Sequence, residues 1–170
     1  MRIWFDVLTP KQLLFFEPMI KRIKKNHTVL CTSRDYDQVT HLAKIRGVKL
    51  IIIGKHGGSG RHDKLNASLH RAKSLSFKIN EFSPDMTISF CSPEAARVSY
   101  GLNIDHICFS DSPHATAVMR LVIPLVQKLL IPWIIPKKEF TKFGINNKDI
   151  ISYRAIDAAI IAKRKIPKNN

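Results

Sequence analysis

Three hydroxyl residues stand directly before prolines at points where an apolar run ends. They are Thr9 before Pro10, Ser92 before Pro93, and Ser112 before Pro113. Such a pair is a typical helix start, because the hydroxyl oxygen accepts a backbone N–H and proline has none to satisfy. The next N–H groups stay free at the positive end of each helix, where a phosphate, a carboxylate or a developing oxyanion can bind. The pattern predicts three helix N-termini, and a single anion-handling site if they converge.

The third junction also carries titratable groups. Asp111 and His114 flank its serine and proline. Histidine titrates near neutral pH and can act as an acid, a base or a hydrogen-bond donor to phosphate. Asp111 and His114 are therefore predicted as catalytic residues, together with Glu94 in the first turn after the second junction. The structural alternative is a surface histidine, a capping aspartate and a glutamate that complements a helix dipole.

A basic loop rich in glycine follows the third apolar run. Its sequence is Gly54-Lys55-His56-Gly57-Gly58-Ser59-Gly60-Arg61-His62. Glycine lets a ligand approach the backbone closely, so the loop is predicted to be a mobile ligand lid, with a merely flexible loop as the alternative. It lacks the Gly-Lys-Ser/Thr ending of a Walker A motif.

Arg34, after the second apolar run, can bind a phosphate through both arms of its guanidinium, although a solvated arginine is the structural alternative. The predicted ligand-binding residues are Thr9, Lys11, Arg34, Gly54, Lys55, His56, Gly57, Gly58, Ser92 and Ser112.

The three cysteines, Cys31, Cys91 and Cys108, show no metal-ligand spacing and are predicted to be buried thiols in a reducing cytosol. Neither a metal nor a cofactor is predicted.

Positive charge is the strongest compositional deviation, with a formal net charge of +15. Such an excess suits nucleic acid, anionic lipid, an acidic partner or phosphorylated ligands. The basic runs lack a regular pattern of interleaved aromatics, and no known nucleic-acid-binding motif is present, so nucleic acid is an unlikely partner.

Prolines and polar residues interrupt the longest apolar stretch, 121–135, and Asp6 interrupts any signal-peptide core. We therefore expect no membrane span and a cytoplasmic location.

Apolar runs alternate with amphipathic segments along the chain. The predicted strands are 3–8, 28–32, 49–53, 86–90, 106–109 and 128–131. Residues with helical spacing lie between them, notably Leu13, Phe16, Ile20 and Ile23, and then Leu65, Leu69, Ala72, Leu75, Ile79 and Phe82. This alternation predicts an α/β fold: a Rossmann-like, doubly wound parallel sheet with helices on both faces and its first and fourth strands adjacent. In that order the three junctions surround one crevice.

A Rossmann-like domain is predicted for residues 1–149, with Pro18 kinking or splitting its first helix. After Trp133 the pattern predicts a loop, a short helix ending near Gly144, an extended segment at 150–153 and a helix at 155–162. Residues 150–170 are predicted to be the linker into a missing C-terminal domain and the start of that domain, with a disordered tail at 163–170.

The segments that carry these residues resemble an archaeal family of uncharacterised function. They are 4–12, 33–37, 53–58, 89–97, 111–115, 132–136 and Phe143-Gly144. That family resembles the glycosyltransferase-B superfold of sugar-nucleotide transferases and non-hydrolysing UDP-N-acetylglucosamine 2-epimerase. The resemblance implies the N-terminal half of a two-domain architecture. In that architecture the first half shapes the acceptor side of the cleft, and the second half usually holds most of the donor nucleotide.

Three functions follow as hypotheses. The resemblance implies the acceptor-side domain of a sugar-nucleotide glycosyltransferase or epimerase-like enzyme, incomplete alone, by analogy of fold. Its ligand would be a nucleotide sugar or another phosphorylated small molecule, and its partner a chain that carries the C-terminal domain. The alternative is a non-catalytic domain that binds phosphorylated ligands or an acidic partner. The third is an inactive remnant that folds without turnover.

Overall fold

The computed structural model describes residues 1–162, which form a seven-stranded parallel sheet flanked by helices. The strands are β1 (Arg2–Asp6), β2 (Thr28–Asp35), β3 (Ile51–Lys55), β4 (Met86–Ser89), β5 (Asp105–Phe109), β6 (Lys128–Pro132) and β7 (Ile150–Tyr153). The helices are α1 (Pro10–Ile23), α2 (Asp37–Arg46), α3 (Arg61–Phe82), α4 (Pro93–Gly101), α5 (Thr116–Val122), α6 (Lys138–Thr141) and α7 (Asp157–Ala162). The strand order is β3-β2-β1-β4-β5-β6-β7. The predicted adjacency of the first and fourth strands is therefore confirmed.

Strand β1 shows why helices cover both faces of the sheet. Ile3 and Phe5 lie in the core cluster that contains Phe16 of α1, and the rings of Phe5 and Phe16 meet edge to face at 5.6 Å. Trp4, between them, lies in a separate cluster with Leu75 of α3. Successive side chains of a strand point to opposite faces, so the apolar centre of β1, residues 3–5, needs a helix layer on each side.

Helix α1 runs through Pro18 without a break, so of the two predicted alternatives the split is wrong and the kink stays a prediction. A proline here removes one backbone hydrogen bond, the one to the carbonyl of Leu14. Pro18 lies on the exposed side of the helix. Leu13 and Ile20, on either side of the proline, are both buried and hold the helix on the core.

Helix α3 follows the predicted apolar stripe only in its later turns. Leu65 and Leu69 are exposed, whereas Leu75 and Ile79 are buried. At 22 residues the helix is about 33 Å long, roughly twice the length of a five-residue strand. Its first turns therefore extend beyond the sheet at the carboxyl edge, where Leu65 lines a crevice instead of the core.

Strand β7 pairs with β6 through the register Leu129↔Ile150, so the sheet continues past the boundary predicted at residue 149. Helix α7, which follows it, contacts α1. That 150–170 lead into a second domain stays a prediction, and the predicted tail lies outside the described residues. None of the helices within residues 1–162 combines the length and apolarity that crossing a membrane requires.

Candidate functional site

Adjoining crevices follow the carboxyl edge of the sheet, where the strands pass into the loops that precede the helices. The central crevice has a volume of about 500 Å³ and is lined by Leu8, Arg34, Lys55, His56, Gly57, Lys64, Leu65, Ala67, Ser68, Arg71, Cys91, Pro93, Glu94, Ala117, Val118 and Leu121. The β5 crevice has a volume of about 270 Å³ and is lined by Thr9, Lys11, Gln12, Phe90, Cys91, Ser110, Asp111, Ser112, Ala115, Val118 and Met119. The two share Cys91 and Val118. Open α/β sheets bind ligands at this edge, beside the point where the strand order reverses.

Two of the three predicted helix caps are confirmed. Thr9 Oγ1 accepts the backbone N–H of Gln12 at 3.3 Å and begins α1. Ser92 Oγ accepts the backbone N–H of Ala95 at 3.2 Å and begins α4. Because the strands before them are adjacent, these two helix starts lie side by side at the carboxyl edge.

The third predicted cap is wrong. Helix α5 begins at Thr116, and Ser112 lies in a turn closed by the backbone hydrogen bond from Ala115 N to Ser112 O, at 3.1 Å. Ser112 Oγ donates to Asp111 Oδ1 at 2.8 Å. The cap fails because the chain turns at 112–115 and the helix begins only at Thr116, so Ser112 does not stand at a helix start. Thr9 and Ser112 nevertheless line the same β5 crevice, as their predicted convergence requires.

A fully hydrogen-bonded carboxylate lies beneath the central crevice. Asp6, at the end of β1, has no exposed surface. It accepts hydrogen bonds from Arg71 Nη2 at 2.6 Å, Arg71 Nη1 at 3.1 Å, Thr32 Oγ1 at 2.7 Å and Ser92 Oγ at 2.6 Å. Burial lowers the pKa of Arg71, but the nearby charges of Asp6 and then Glu94 outweigh it and raise the pKa. The guanidinium therefore stays charged and ties α3 to the centre of the sheet.

Glu94 connects this buried network to the open crevice. Its Oε1 accepts from Ser68 Oγ at 2.7 Å, and its Oε2 lies 3.4 Å from Arg71 Nη1. The side chain is 11% exposed and lines the central crevice. Glu94 is thus a carboxylate fixed from behind by two donors, with part of its surface available to a ligand.

The glycine-rich loop folds against the start of α3. Gly58 N donates to His56 Nδ1 at 3.1 Å, and the His56 ring lies 6.4 Å from the ring of Tyr36. A Cβ at Gly57 would lie 2.6 Å from Lys64 Cα, so glycine is required there by the contact between loop and helix. Together with the start of α3, the loop encloses a further crevice of about 630 Å³, which shares Lys55 with the central crevice.

A second charged cluster separates the β5 crevice from an outer crevice of about 510 Å³. Lys11 forms ion pairs with Asp111 and, at 3.2 Å, with Asp157. Tyr153 Oη donates to Asp157 Oδ1 at 2.5 Å. Burial raises the pKa of Asp157, and the neighbouring Asp111 raises it further despite the hydrogen bond from Tyr153. Burial also acts to raise the pKa of Asp111, but Lys11 and Ser112 outweigh it and lower the pKa. Asp157 is therefore the member of the pair that protonates first as the pH falls.

Three predicted residues, His114, Ser92 and Gly58, do not line the central crevice or the β5 crevice. His114 is exposed, and its ring makes no hydrogen bond or ion pair within residues 1–162. Ser92 is buried, with its hydroxyl engaged by Asp6 and by the cap. Gly58 lies at the exposed tip of its loop. The catalytic or ligand-binding roles of these residues stay predictions.

The sequence analysis did not predict four residues whose hydrogen bonds and ion pairs support the site, namely Asp6, Arg71, Tyr153 and Asp157. The sequence could have identified Asp6 and Arg71 as buried charges, since each is a charged residue within an apolar strand or stripe. No sequence pattern identifies Tyr153 and Asp157, because only the pairing of β7 with β6 brings them beside Lys11. Within the described part of the chain, no three His, Cys, Asp or Glu side chains lie close enough together to hold a metal ion.

The strand order and the place of these crevices define a Rossmann-like domain of the glycosyltransferase-B type. The sequence model of a family described as "Protein of unknown function (DUF354)" matches residues 1–167, and the chain belongs to that family. It is 31% identical over 146 residues to the uncharacterized protein MJ0665 of Methanocaldococcus jannaschii, a match that covers 85% of this chain and 42% of that protein.

Solved structures confirm the predicted fold. UDP-GlcNAc 2-epimerase from Neisseria meningitidis, bound to UDP-GlcNAc, matches 89% of this chain at a TM-score of 0.70 and 15% identity. The spinosyn rhamnosyltransferase SpnG, complexed with thymidine diphosphate, matches 78% at a TM-score of 0.59 and 12% identity. In each case the match covers 45% of the solved chain. The chain thus spans less than half the length of these proteins and of MJ0665.

Proposed function

We propose that this chain is the acceptor-side domain of a sugar-nucleotide glycosyltransferase or epimerase-like enzyme, and that a C-terminal domain supplies most of the donor site. One observation carries the proposal: Glu94, held by Ser68 and Arg71, faces a crevice at the carboxyl edge of a glycosyltransferase-B-type sheet. Two proteins of similar fold are described as bound to UDP-GlcNAc and to thymidine diphosphate. A nucleotide sugar is accordingly the proposed ligand of the complete site. The proposed location of the protein is the cytoplasm.

The proposed chemistry is general base catalysis on an acceptor hydroxyl. A carboxylate must lie within hydrogen-bond reach of the proton it removes, and Glu94 is the carboxylate that lines the central crevice. Asp111 lines the adjoining β5 crevice and is paired with Lys11, which suits binding and orientation of a hydroxyl. His114 is exposed on the turn beside it and would reach the reacting centre when the second domain closes over this edge.

An alternative function rests on a different observation. Arg34 and Lys55 line the central crevice without an ion-pair partner within residues 1–162. A domain that only binds phosphorylated ligands or an acidic partner needs such cations and has no use for Glu94. Substitution of Glu94 therefore separates the two functions, because it removes turnover in the first and leaves ligand binding intact in the second.

The test is turnover of UDP-sugars by the chain alone and after addition of the polypeptide encoded directly downstream of it. We expect turnover only from the mixture, and a fall of about 10²- to 10⁴-fold in Glu94→Gln, the usual contribution of general acid–base catalysis. Glu81→Gln is the matched control, since Glu81 is an exposed glutamate at the far end of α3. Full turnover by the chain alone, unchanged in both Glu94→Gln and His114→Gln, would overturn the proposal.

A further inference from the structure

We infer that the central crevice binds an anionic group of the acceptor, a phosphate or a carboxylate, through Arg34, Lys55 and Lys64. The inference rests on the proposed function only in assigning this anion to the acceptor. The binding site itself is argued from three cations, their surroundings and the size of the crevice.

The three cations come from separate elements and line the same crevice. Arg34 lies near the end of β2, Lys55 ends β3, and Lys64 lies in the first turns of α3. The register Asp35↔Lys55 places Arg34 and Lys55 at the ends of adjoining strands. Charges of one sign repel one another, so their arrangement around one cavity favours an anion between them.

The protein itself does not neutralise these cations. Within residues 1–162 the side chains of Arg34, Lys55 and Lys64 form no ion pair and no hydrogen bond, and the Arg34 Nε atom is buried without a partner. The nearby carboxylates of Asp6 and Glu94 are both paired with Arg71, which leaves one formal negative charge against the three cations. A buried N–H without an acceptor is disfavoured, and an oxygen of a bound anion would supply that acceptor.

The neighbouring β5 crevice offers a contrast. Its lysine, Lys11, is held by Asp111 and Asp157 and is not available to a ligand in the same way. Unpaired positive charge is therefore a property of the central crevice and not of every crevice at this edge. Its volume of about 500 Å³ lies within the range of small-molecule sites. Glu94 would accept a hydroxyl of the same ligand, which points to a sugar that carries a phosphate or carboxylate.

The experiment is calorimetric titration of the full chain at physiological salt with glucose 6-phosphate, glucuronate and uncharged glucose. We expect the two anions to bind and glucose not to bind. Arg34→Gln and Lys55→Gln should each weaken glucose 6-phosphate at least tenfold, and melting temperatures will show that both variants are folded. Lys25→Gln removes the same charge from an exposed site after α1, at the opposite edge of the sheet, and should leave affinity unchanged.

Three outcomes would overturn the inference, and the first is that neither anion binds. If Lys25→Gln weakens binding as much as Arg34→Gln does, the anion responds only to the net charge of the protein. If UDP binds more tightly than glucose 6-phosphate and loses affinity in the same variants, the crevice serves the donor diphosphate. None of these outcomes depends on turnover. Failure of the two-polypeptide assay would leave anion binding standing, whereas turnover with a neutral acceptor and no anion binding would remove this inference alone.

Discussion

Replacement of Arg71 by methionine tests the buried network that holds the site. The variant keeps most of the volume and removes the charge, leaving Asp6 buried with only the hydroxyls of Thr32 and Ser92 as donors. Breaking a buried pair from one side costs about 3–5 kcal/mol, because the remaining charge is uncompensated. For a domain of this size each kcal/mol lowers the melting temperature by roughly 2–4 °C. We therefore expect a fall of about 6–20 °C.

The assay is urea unfolding of wild type, Arg71→Met, Asp6→Leu and the double variant. The midpoint should fall in each single variant without a change in slope. The double variant should lose much less than the sum of the singles, because it removes both charges of the Asp6–Arg71 pair, while Glu94 keeps its hydrogen bond from Ser68. Arg61→Met, at the exposed start of α3, should change stability by less than about 0.5 kcal/mol. A loss below about 1 kcal/mol in Arg71→Met, or simple additivity in the double variant, would refute the reasoning.

Three further predictions concern the sheet and its loops. Burial lowers the pKa of His106 to about 4, so the unfolded chain takes up a proton first as the pH falls. The free energy of unfolding should drop by about 3 kcal/mol between roughly pH 6.5 and 4 from this group, and urea titrations of His106→Gln should lack that part of the slope. Gly57→Ala should destabilise the chain more than Gly58→Ala. The first adds a Cβ against the backbone of α3, and the second costs only the roughly 1–2 kcal/mol of a left-handed alanine in open space; equal midpoints would contradict this. Ser92→Ala should cost more than Thr9→Ala, since both lose a cap worth about 1 kcal/mol but only Ser92 also donates to the buried Asp6. Thermal unfolding of the two variants tests this, and a melting temperature of Ser92→Ala equal to or above that of Thr9→Ala would contradict it.

The sequence was sufficient to predict six strands of the sheet, but it assigned 150–153 to a linker, and ligand binding at the carboxyl edge stays a prediction. Apolar strands that alternate with amphipathic helices leave few topologies, and the strand order with β1 beside β4 is the one predicted. The caps at Thr9 and Ser92 were predictable because a hydroxyl before proline acts locally. The cap at Ser112 failed because the chain makes a turn at 112–115 before α5 begins at Thr116, and the Ser-Pro pair alone does not distinguish such a turn from a helix start.

The buried charges depend on contacts between distant parts of the chain. Arg71 meets Asp6 across 65 positions, and Lys11 meets Asp157 only after β7 joins the sheet. No spacing rule links such residues in a single sequence. An arginine on the buried stripe of a helix does predict a buried acidic partner, because an unpaired buried charge is costly. The sequence does not say which acid that partner is.

The most direct measurement is a map of backbone amide shifts while the ¹⁵N-labelled chain is titrated with glucose 6-phosphate. If the central crevice is the ligand site, the largest changes will fall at Arg34, at Lys55 to Gly57, and at Lys64 and Glu94. The amino edge of the sheet, including Lys25, will stay unchanged. Changes spread over the basic surface, or centred away from the carboxyl edge, would contradict the account.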